Sequence, residues 1–199
     1  MKLIIGEQVI ECNKPTAEDV IERINECVTG GHYFSHFIAD GTEVYDEHEE
    51  FLEQKLESIE ELHVVIKTEK EFMNDVLLSA EEYLQRAIPE LSTLADDFNR
   101  VPTADTWDRF ELLIGGADWL NDMLKVVNNS QERPSDWKTF QKLTSTLQAE
   151  VSKLGKALEK KKNREIASIL KNGFLPVFEQ LEKAFGETID SEFIRKNLN

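Results

Sequence analysis

The sequence predicts an α+β protein, with a small sheet domain over residues 1–68 and a helical bundle over residues 69–199. Before the stretch Leu62–Phe72, apolar residues come in short runs bounded by turn signals, as strands require. After it they recur every three or four residues, as amphipathic helices require. No glycine, proline or serine lies within Leu62–Phe72, so we expect the last strand to enter the first long helix directly.

The composition is that of a folded, strongly acidic protein. The apolar fraction is 40% and the formal net charge is −16. Residues 1–68 alone hold 16 acidic and 5 basic side chains. Such a surface repels phosphate backbones and anionic membranes, so we expect neither nucleic acid nor a membrane as partner. The charge serves either solubility or recognition of a basic partner protein.

Two features favour a cytoplasmic location. The start of the chain, Met1–Glu7, has too short an apolar segment for a signal peptide. Cys12 lies at the end of a predicted strand and Cys27 on the apolar face of a predicted helix, so both are expected to be structural, reduced cysteines.

The first domain is predicted to contain five strands and two helices. Thr16 and Asp19 form a capping box that begins the first helix, and Gly30-Gly31 ends it. A short second helix surrounds Phe51. The last strand is an unbroken apolar run, which predicts a central position buried on both sides. The predicted strands are Lys2–Gly6, Val9–Cys12, Tyr33–Ile38, Thr42–Tyr45 and His63–Lys67.

This order of elements, together with the strand-turn-strand stretch Phe37–Asp46, resembles the ubiquitin-like β-grasp fold. The resemblance implies that the third and fifth strands are neighbours and that the exposed sheet face binds partners. The chain continues past Lys67 and has no diglycine tail there, so the resemblance does not extend to conjugation or sulfur-carrier chemistry. Phe34, His36 and Phe37 are the candidate contact residues on this face.

The second domain is predicted to hold up to five amphipathic helices with short loops, which favours an antiparallel bundle. Pro89 either kinks the first helix or starts a new segment. Gly115-Gly116 interrupts the second helix, either for close approach of a neighbouring helix or as a hinge. The stretch 135–171 is either one bent helix that begins after Ser135 or two helices, the second starting at Asn163.

The end of the chain is predicted to consist of two further helices. Asn172-Gly173 and Gly186 are expected to end helices, and Asp190 is expected to cap a last short one containing Phe193, Ile194 and Leu198.

Two features of the helical domain are candidate contact sites. Trp119 lies off the apolar stripe beside Gly115-Gly116 and is expected to be exposed, whereas Trp107 and Trp137 are expected in the core. The other feature is a basic cluster that is either a solvated helix face or junction, or a contact with the acidic first domain, within the chain or between subunits. Its residues are Lys153, Lys156, Lys160, Lys161, Lys162 and Arg164.

The sequence predicts no catalytic residue, no cofactor and no metal. It contains no phosphate-binding loop, dinucleotide fingerprint or nucleophile elbow. His36 and His63 lie on strands expected to be neighbours and could face each other. However, the spacing of His32, His36, His48 and His63 matches no zinc-ligand pattern.

We therefore expect a non-enzymatic protein–protein interaction module, an adaptor or chaperone-like protein. Its partner is another polypeptide, basic or helical, or a second copy of the chain, bound by the sheet face or a helical groove. In size and charge the helical part resembles secretion and flagellar export chaperones. The alternative is an enzyme with an unrecognised acid/base or metal-assisted site.

Overall fold

The computed structural model describes residues 1–28 and 31–195, and these confirm the α+β class. The chain divides into two compact units, Met1–Phe72 and Met73–Asn199. The first contains the sheet and the second contains only helices among its described residues. We call them the sheet unit and the helical unit.

The sheet unit contains a mixed sheet of five strands in the order β2-β1-β5-β3-β4. β1 and β5 are parallel, and the other neighbouring pairs are antiparallel. The predicted central position of β5 and its adjacency to β3 are therefore confirmed. The strands are β1 (Lys2–Ile5), β2 (Gln8–Glu11), β3 (His32–Ala39), β4 (Thr42–Val44) and β5 (Glu61–Thr68).

Local signals explain the turns and helices of this unit. Helix α1 (Ala17–Cys27) begins with the predicted capping box, in which the Thr16 hydroxyl accepts the Asp19 N–H and the Asp19 carboxylate accepts the Thr16 N–H. Asp40 and Gly41 both have positive φ, 47° and 84°, which is the geometry of a tight β3–β4 hairpin. The predicted helix stop falls partly on Gly30, which lies outside the described residues.

The core of the sheet unit lies between one side of the sheet and the helices α1 and α2 (His48–Lys55). Strands point successive side chains to opposite sides, and β5 follows this rule: Leu62 and Val64 are buried, whereas His63 and Val65 are partly exposed. The prediction that β5 is buried on both sides is therefore wrong.

The helical unit is built from long helices joined by short connections. None of the helices formed by the described residues is long and apolar enough to span a membrane. A π-helical turn, Leu170–Phe174, joins the last two helices without a loop. The helices are α3 (Glu69–Asn99), α4 (Ala104–Asn129), α5 (Trp137–Glu159), α6 (Asn163–Ile169) and α7 (Leu175–Glu192).

Aromatic contacts establish the antiparallel bundle. Phe98, near the end of α3, packs against Trp107 near the start of α4, with ring centroids 5.0 Å apart. The Trp137 indole, at the start of α5, donates to the Asn128 side chain at the end of α4 over 2.7 Å. Phe140, early in α5, packs on Phe185, late in α7, at 4.9 Å. Each pair joins the end of one helix to the start of another.

The structure shows which of three possible helix breaks in the first part of the bundle occur. Helix α3 runs through Pro89, so the restart at that residue is wrong. Helix α4 runs through Gly115-Gly116. Of the two alternatives for 135–171, two helices are observed, with a break at Lys160–Lys162. Ser135 does not begin α5, because its N–H and hydroxyl both donate to Glu192.

The helix ends expected at Asn172-Gly173 and at Gly186, with a cap at Asp190, are also wrong. The chain is helical from Asn163 through Glu192. A glycine costs a helix only about 1 kcal/mol, which a continuous buried stripe outweighs. Leu198, placed in the expected last helix, lies outside the described residues. The buried stripe consists of Ile166, Leu170, Phe174, Phe178, Leu181, Phe185 and Ile189.

A polar clasp joins the last described residues to α3. The Arg195 guanidinium donates to both carboxylate oxygens of Glu81, at 2.6 and 3.0 Å, and to Asp190. Its hydrogen bonds to Glu81, and then to Asp190, raise the pKa of Arg195. Two turns earlier in α3, the Asn74 side chain accepts the Ile194 N–H at 2.9 Å. Glu81 is only 6% exposed, and Arg195 compensates its buried charge.

Candidate protein-interaction surface

The side of the sheet that points away from α1 and α2 carries a row of side chains in register across all the strands. Val9, Ile4, His63, Ile38 and Glu43 are successive cross-strand partners on β2, β1, β5, β3 and β4. Val9 is 57% exposed, and Ile4 and Ile38 are partly exposed. We call this side, which also includes the cross-strand partners His36 and Val65, the outer face.

One flank of the outer face carries a small charge network. The Glu61 carboxylate accepts a hydrogen bond from Lys2 Nζ at 2.7 Å and lies 2.6 Å from His63 Nε2. The hydrogen bond from Lys2 lowers the pKa of Glu61 the most, and the hydrogen bond from His63 lowers it further. The charged side chains of Lys2 and Glu61 therefore border the apolar residues on this flank of the outer face.

The other flank is aromatic. His36 stacks on Tyr45 with ring centroids 4.5 Å apart, and the Tyr45 hydroxyl donates to Glu43 at 2.8 Å. That hydrogen bond raises the pKa of Tyr45. Burial lowers the pKa of His36, although the nearby Glu43 acts in the opposite direction. Tyr45 itself is 57% exposed, so it offers an accessible aromatic ring beside His36.

The lowered pKa of His36 predicts a pH dependence of stability. Below its ordinary pKa of 6.5 the unfolded chain protonates this group before the folded chain does. The free energy of unfolding of the sheet unit should therefore fall as pH drops through 6.5, until the folded group is protonated too. The lowered pKa of Glu61 acts only below 4.5, outside this window.

Urea unfolding at a series of pH values, followed by the amide NMR signals of the sheet, measures this dependence. His36→Phe keeps a ring against Tyr45 but removes the titration, so its stability should depend less on pH in that window. Equal slopes for the two proteins would contradict the assignment to His36.

The structure places only one of the three predicted sheet contacts on the outer face. Phe37 is 2% exposed and belongs to the core, so its prediction as a contact residue is wrong. A register shift in β3 between Phe34 and His36 turns Phe34 to the same inner side, where the two rings pack at 4.9 Å. His36 alone points outward, but it is only 8% exposed beside Tyr45, so the prediction that it is an accessible contact is wrong.

Sequence reasoning missed Ile4, Ile38, Val65 and Tyr45 as surface candidates. The strand alternation contained a usable signal, because residues between the buried Leu3 and Ile5, or Leu62 and Val64, must point outward.

The histidines do not form a metal site. His36 lies opposite Val65, and His63 lies opposite Ile38. The two histidines are therefore not cross-strand partners, contrary to the expectation that they could face each other. His48 lies on the inner side, against Phe34. Among residues 1–28 and 31–195, no group of three histidine, cysteine or acidic side chains is placed to hold a metal ion.

The three tryptophans of the helical unit differ in their exposure to solvent. Trp119 is 42% exposed and packs edge-on against Tyr83 at 5.8 Å. Trp137 is 6% exposed, which confirms its core position, but Trp107 is 39% exposed and its core prediction is wrong. Trp107 borders an apolar groove of about 370 Å³ between α4 and α5, together with Ile114 and Val151.

The basic cluster includes an exposed turn between α5 and α6. Lys160, Lys161 and Lys162 are all exposed, and Lys161 has a φ of 51°. Lys162 pairs with Glu165 at 2.8 Å in the first turn of α6. The turn is thus a projecting positive feature of an otherwise acidic protein.

A family model described as a domain of unknown function, DUF8042, matches residues 75–184, more than half of the chain. The chain belongs to this family. The match runs from within α3 to within α7 and leaves the whole sheet unit outside it. No curated protein and no solved structure matches the chain. The family is therefore defined on the bundle, and the outer face belongs to the part of the chain that precedes the match.

Proposed function

We propose that this protein is a non-enzymatic, cytoplasmic protein–protein interaction module, an adaptor or chaperone-like protein, that binds a partner polypeptide through the outer face. The observation that carries the proposal is the cross-strand row in which Val9, Ile4 and Ile38 are accessible around His63. Apolar side chains in register on an exposed sheet surface are a typical protein-binding feature.

The surroundings of this row support the proposal. Interfaces commonly have an apolar centre and a polar rim, with aromatic residues enriched at the contact. Here Glu61 with Lys2 supplies a charged rim on one flank, and Tyr45 supplies an exposed ring on the other.

The resemblance to ubiquitin-like β-grasp domains adds a second line of support. The adjacency of β3 and β5 agrees with what that resemblance implies. Such domains commonly bind partners through the exposed sheet face. As an inference from fold, this resemblance supports the location of the site and does not identify the partner.

The groove between α4 and α5 is a candidate second surface of the same function. Trp107 and Val151 are 39% and 41% exposed at its edges, and Leu154 lies at its base. An apolar groove between two helices suits the apolar stripe of a partner helix.

Affinity capture with outer-face variants tests the proposal. The full chain is immobilised and incubated with a lysate of its native host, and retained polypeptides are identified by mass spectrometry. Val9→Thr/Ile4→Thr/Ile38→Thr removes apolar surface while keeping β-branched side chains suited to strands. We expect this variant to lose a polypeptide that the wild type retains.

The matched control is Val101→Thr/Leu112→Gln/Val126→Thr, which removes exposed apolar surface from the helical unit instead. It should retain the same polypeptide as the wild type. If no polypeptide is retained, or if both triple variants behave alike, the outer face is not the binding site.

A further inference from the structure

A cleft of about 800 Å³ opens on the helix-covered side of the sheet unit, between α1, α2 and β3. Its floor is apolar. Phe37 and Leu52 close the base at 2% and 1% exposure, and the partly buried Ile21 and Phe34 form the walls above them. The cleft is therefore deep enough to reach the core and wide enough for an apolar side chain.

The rim of the cleft is acidic. Glu47, Glu49, Glu50 and Glu53 border it, and all four are exposed. Neither lysine nor arginine lines the cleft. The Glu50 carboxylate accepts a hydrogen bond from the uncharged Gln54 side chain at 2.7 Å, which leaves its negative charge in place. Among the described residues of the sheet unit, Lys2 pairs with Glu61 and Arg23 with Glu26, and no lysine or arginine forms a salt bridge with the four rim carboxylates.

The geometry of α2 positions these groups firmly. His48 Nε2 lies 3.1 Å from the Val44 carbonyl oxygen, and its ring meets the edges of Phe34 and Phe37. Glu47, at the start of α2, has a φ of 50°, and its side chain does not cap the helix. The first turn of α2 is thus anchored to the floor of the cleft, with its carboxylates in solvent.

We propose that this cleft binds a cationic amphipathic segment of a partner polypeptide. One apolar side chain of the segment occupies the space between Ile21, Phe34 and Leu52, and flanking lysines or arginines pair with the rim carboxylates. Charge complementarity selects this occupant, because four uncompensated carboxylates around an apolar floor repel acidic segments and attract basic ones. The site is separate from the outer face, so the inference stands independently of the proposed function.

Fluorescence anisotropy with a labelled peptide tests the site on the full chain at low ionic strength. The probe is a fluorescein-labelled peptide in which one leucine lies between two pairs of lysines. We expect saturable binding that weakens about tenfold or more in Glu49→Gln/Glu53→Gln, a loss of roughly 1.4 kcal/mol or more. A peptide with serine in place of the leucine should also bind more weakly.

The matched control is Glu7→Gln/Glu11→Gln, which makes the same charge change at two exposed positions of the β1–β2 hairpin. It should bind the probe as the wild type does, and so should the triple threonine variant of the outer face. Equal weakening by both glutamine pairs would show general attraction to an acidic protein and overturn the proposal.

Amide NMR shifts locate the bound probe. Shifts centred on Ile21, Phe34 and His48 support the proposal. Shifts on the outer face, absence of binding, or equal affinity for the serine peptide would each overturn it.

Discussion

Phe178→Ala is expected to lower the free energy of unfolding of the helical unit by about 3–5 kcal/mol. Phe178 is fully buried at the centre of the bundle, where its ring packs near Tyr83 of α3 and Phe174 of the π-helical turn. Truncation removes apolar contacts with both neighbours and leaves a cavity that long helices cannot easily close. Residues from three segments of the bundle therefore lose packing at once.

Urea unfolding followed by tryptophan fluorescence measures this loss selectively, because Trp107, Trp119 and Trp137 all lie in the helical unit. Leu112→Ala is the control: Leu112 is 76% exposed, so its truncation should change stability by no more than about 0.5 kcal/mol. A loss below about 1.5 kcal/mol for Phe178→Ala would contradict the tight packing described for this core.

Gly116→Ala and Gly115→Ala are expected to change the stability of the bundle in opposite directions. A Cβ at Gly116 would lie 2.3 Å from a ring carbon of Tyr83, whereas one at Gly115 would meet nothing within 4 Å. The Tyr83 ring cannot move away easily, since it also contacts Trp119 and Phe178. Its hydroxyl donates a hydrogen bond to the Leu113 carbonyl oxygen at 3.3 Å. Burial raises the pKa of Tyr83 to about 12.

Gly116→Ala should therefore cost about 1–3 kcal/mol, despite the better helix propensity of alanine. Gly115→Ala should gain up to about 1 kcal/mol from that propensity alone. Thermal and urea unfolding of the two variants measure the difference. In a Tyr83→Leu background the cost of Gly116→Ala should shrink, which a double-mutant cycle would detect. The same sign for both substitutions would contradict close approach as the role of Gly116.

The parts of the fold that could be predicted are those set by local chemistry. Thr16 and Asp19 define a helix start through their own hydrogen bonds, and Asp40-Gly41 defines a hairpin through its backbone conformation. Repeated apolar spacing predicts the approximate extents of α3 and α4. These signals depend on residues close in sequence, so they are visible before any tertiary contact is known.

The errors come from tertiary contacts that override local signals. Gly186 resembles a helix stop, yet Phe185 and Ile189 are buried on one stripe, and Gly186 leaves room for the Glu81 carboxylate of another helix. No residue near Phe34 indicates the register shift that turns it inward.

The candidate sites show the same division between local and tertiary signals. The outer-face row depends on the register of all the strands, which strand patterns leave open. Most of the acidic rim of the cleft could be seen in the sequence as the run Asp46–Glu50, but the apolar lining could not, because α1 and β3 supply most of it from elsewhere in the chain.

The clasp formed by Asn74 and Ile194 has a consequence for modular use of the bundle. One hydrogen bond, at 2.9 Å, joins Asn74, in the first turn of the helical unit, to Ile194, next to the last described residue. A domain whose entry and exit points adjoin can be inserted into a surface loop of another protein, or circularly permuted, without stretching its chain. The hydrogen bond between Asn74 and Ile194 thus lies where a host chain would connect to an inserted bundle.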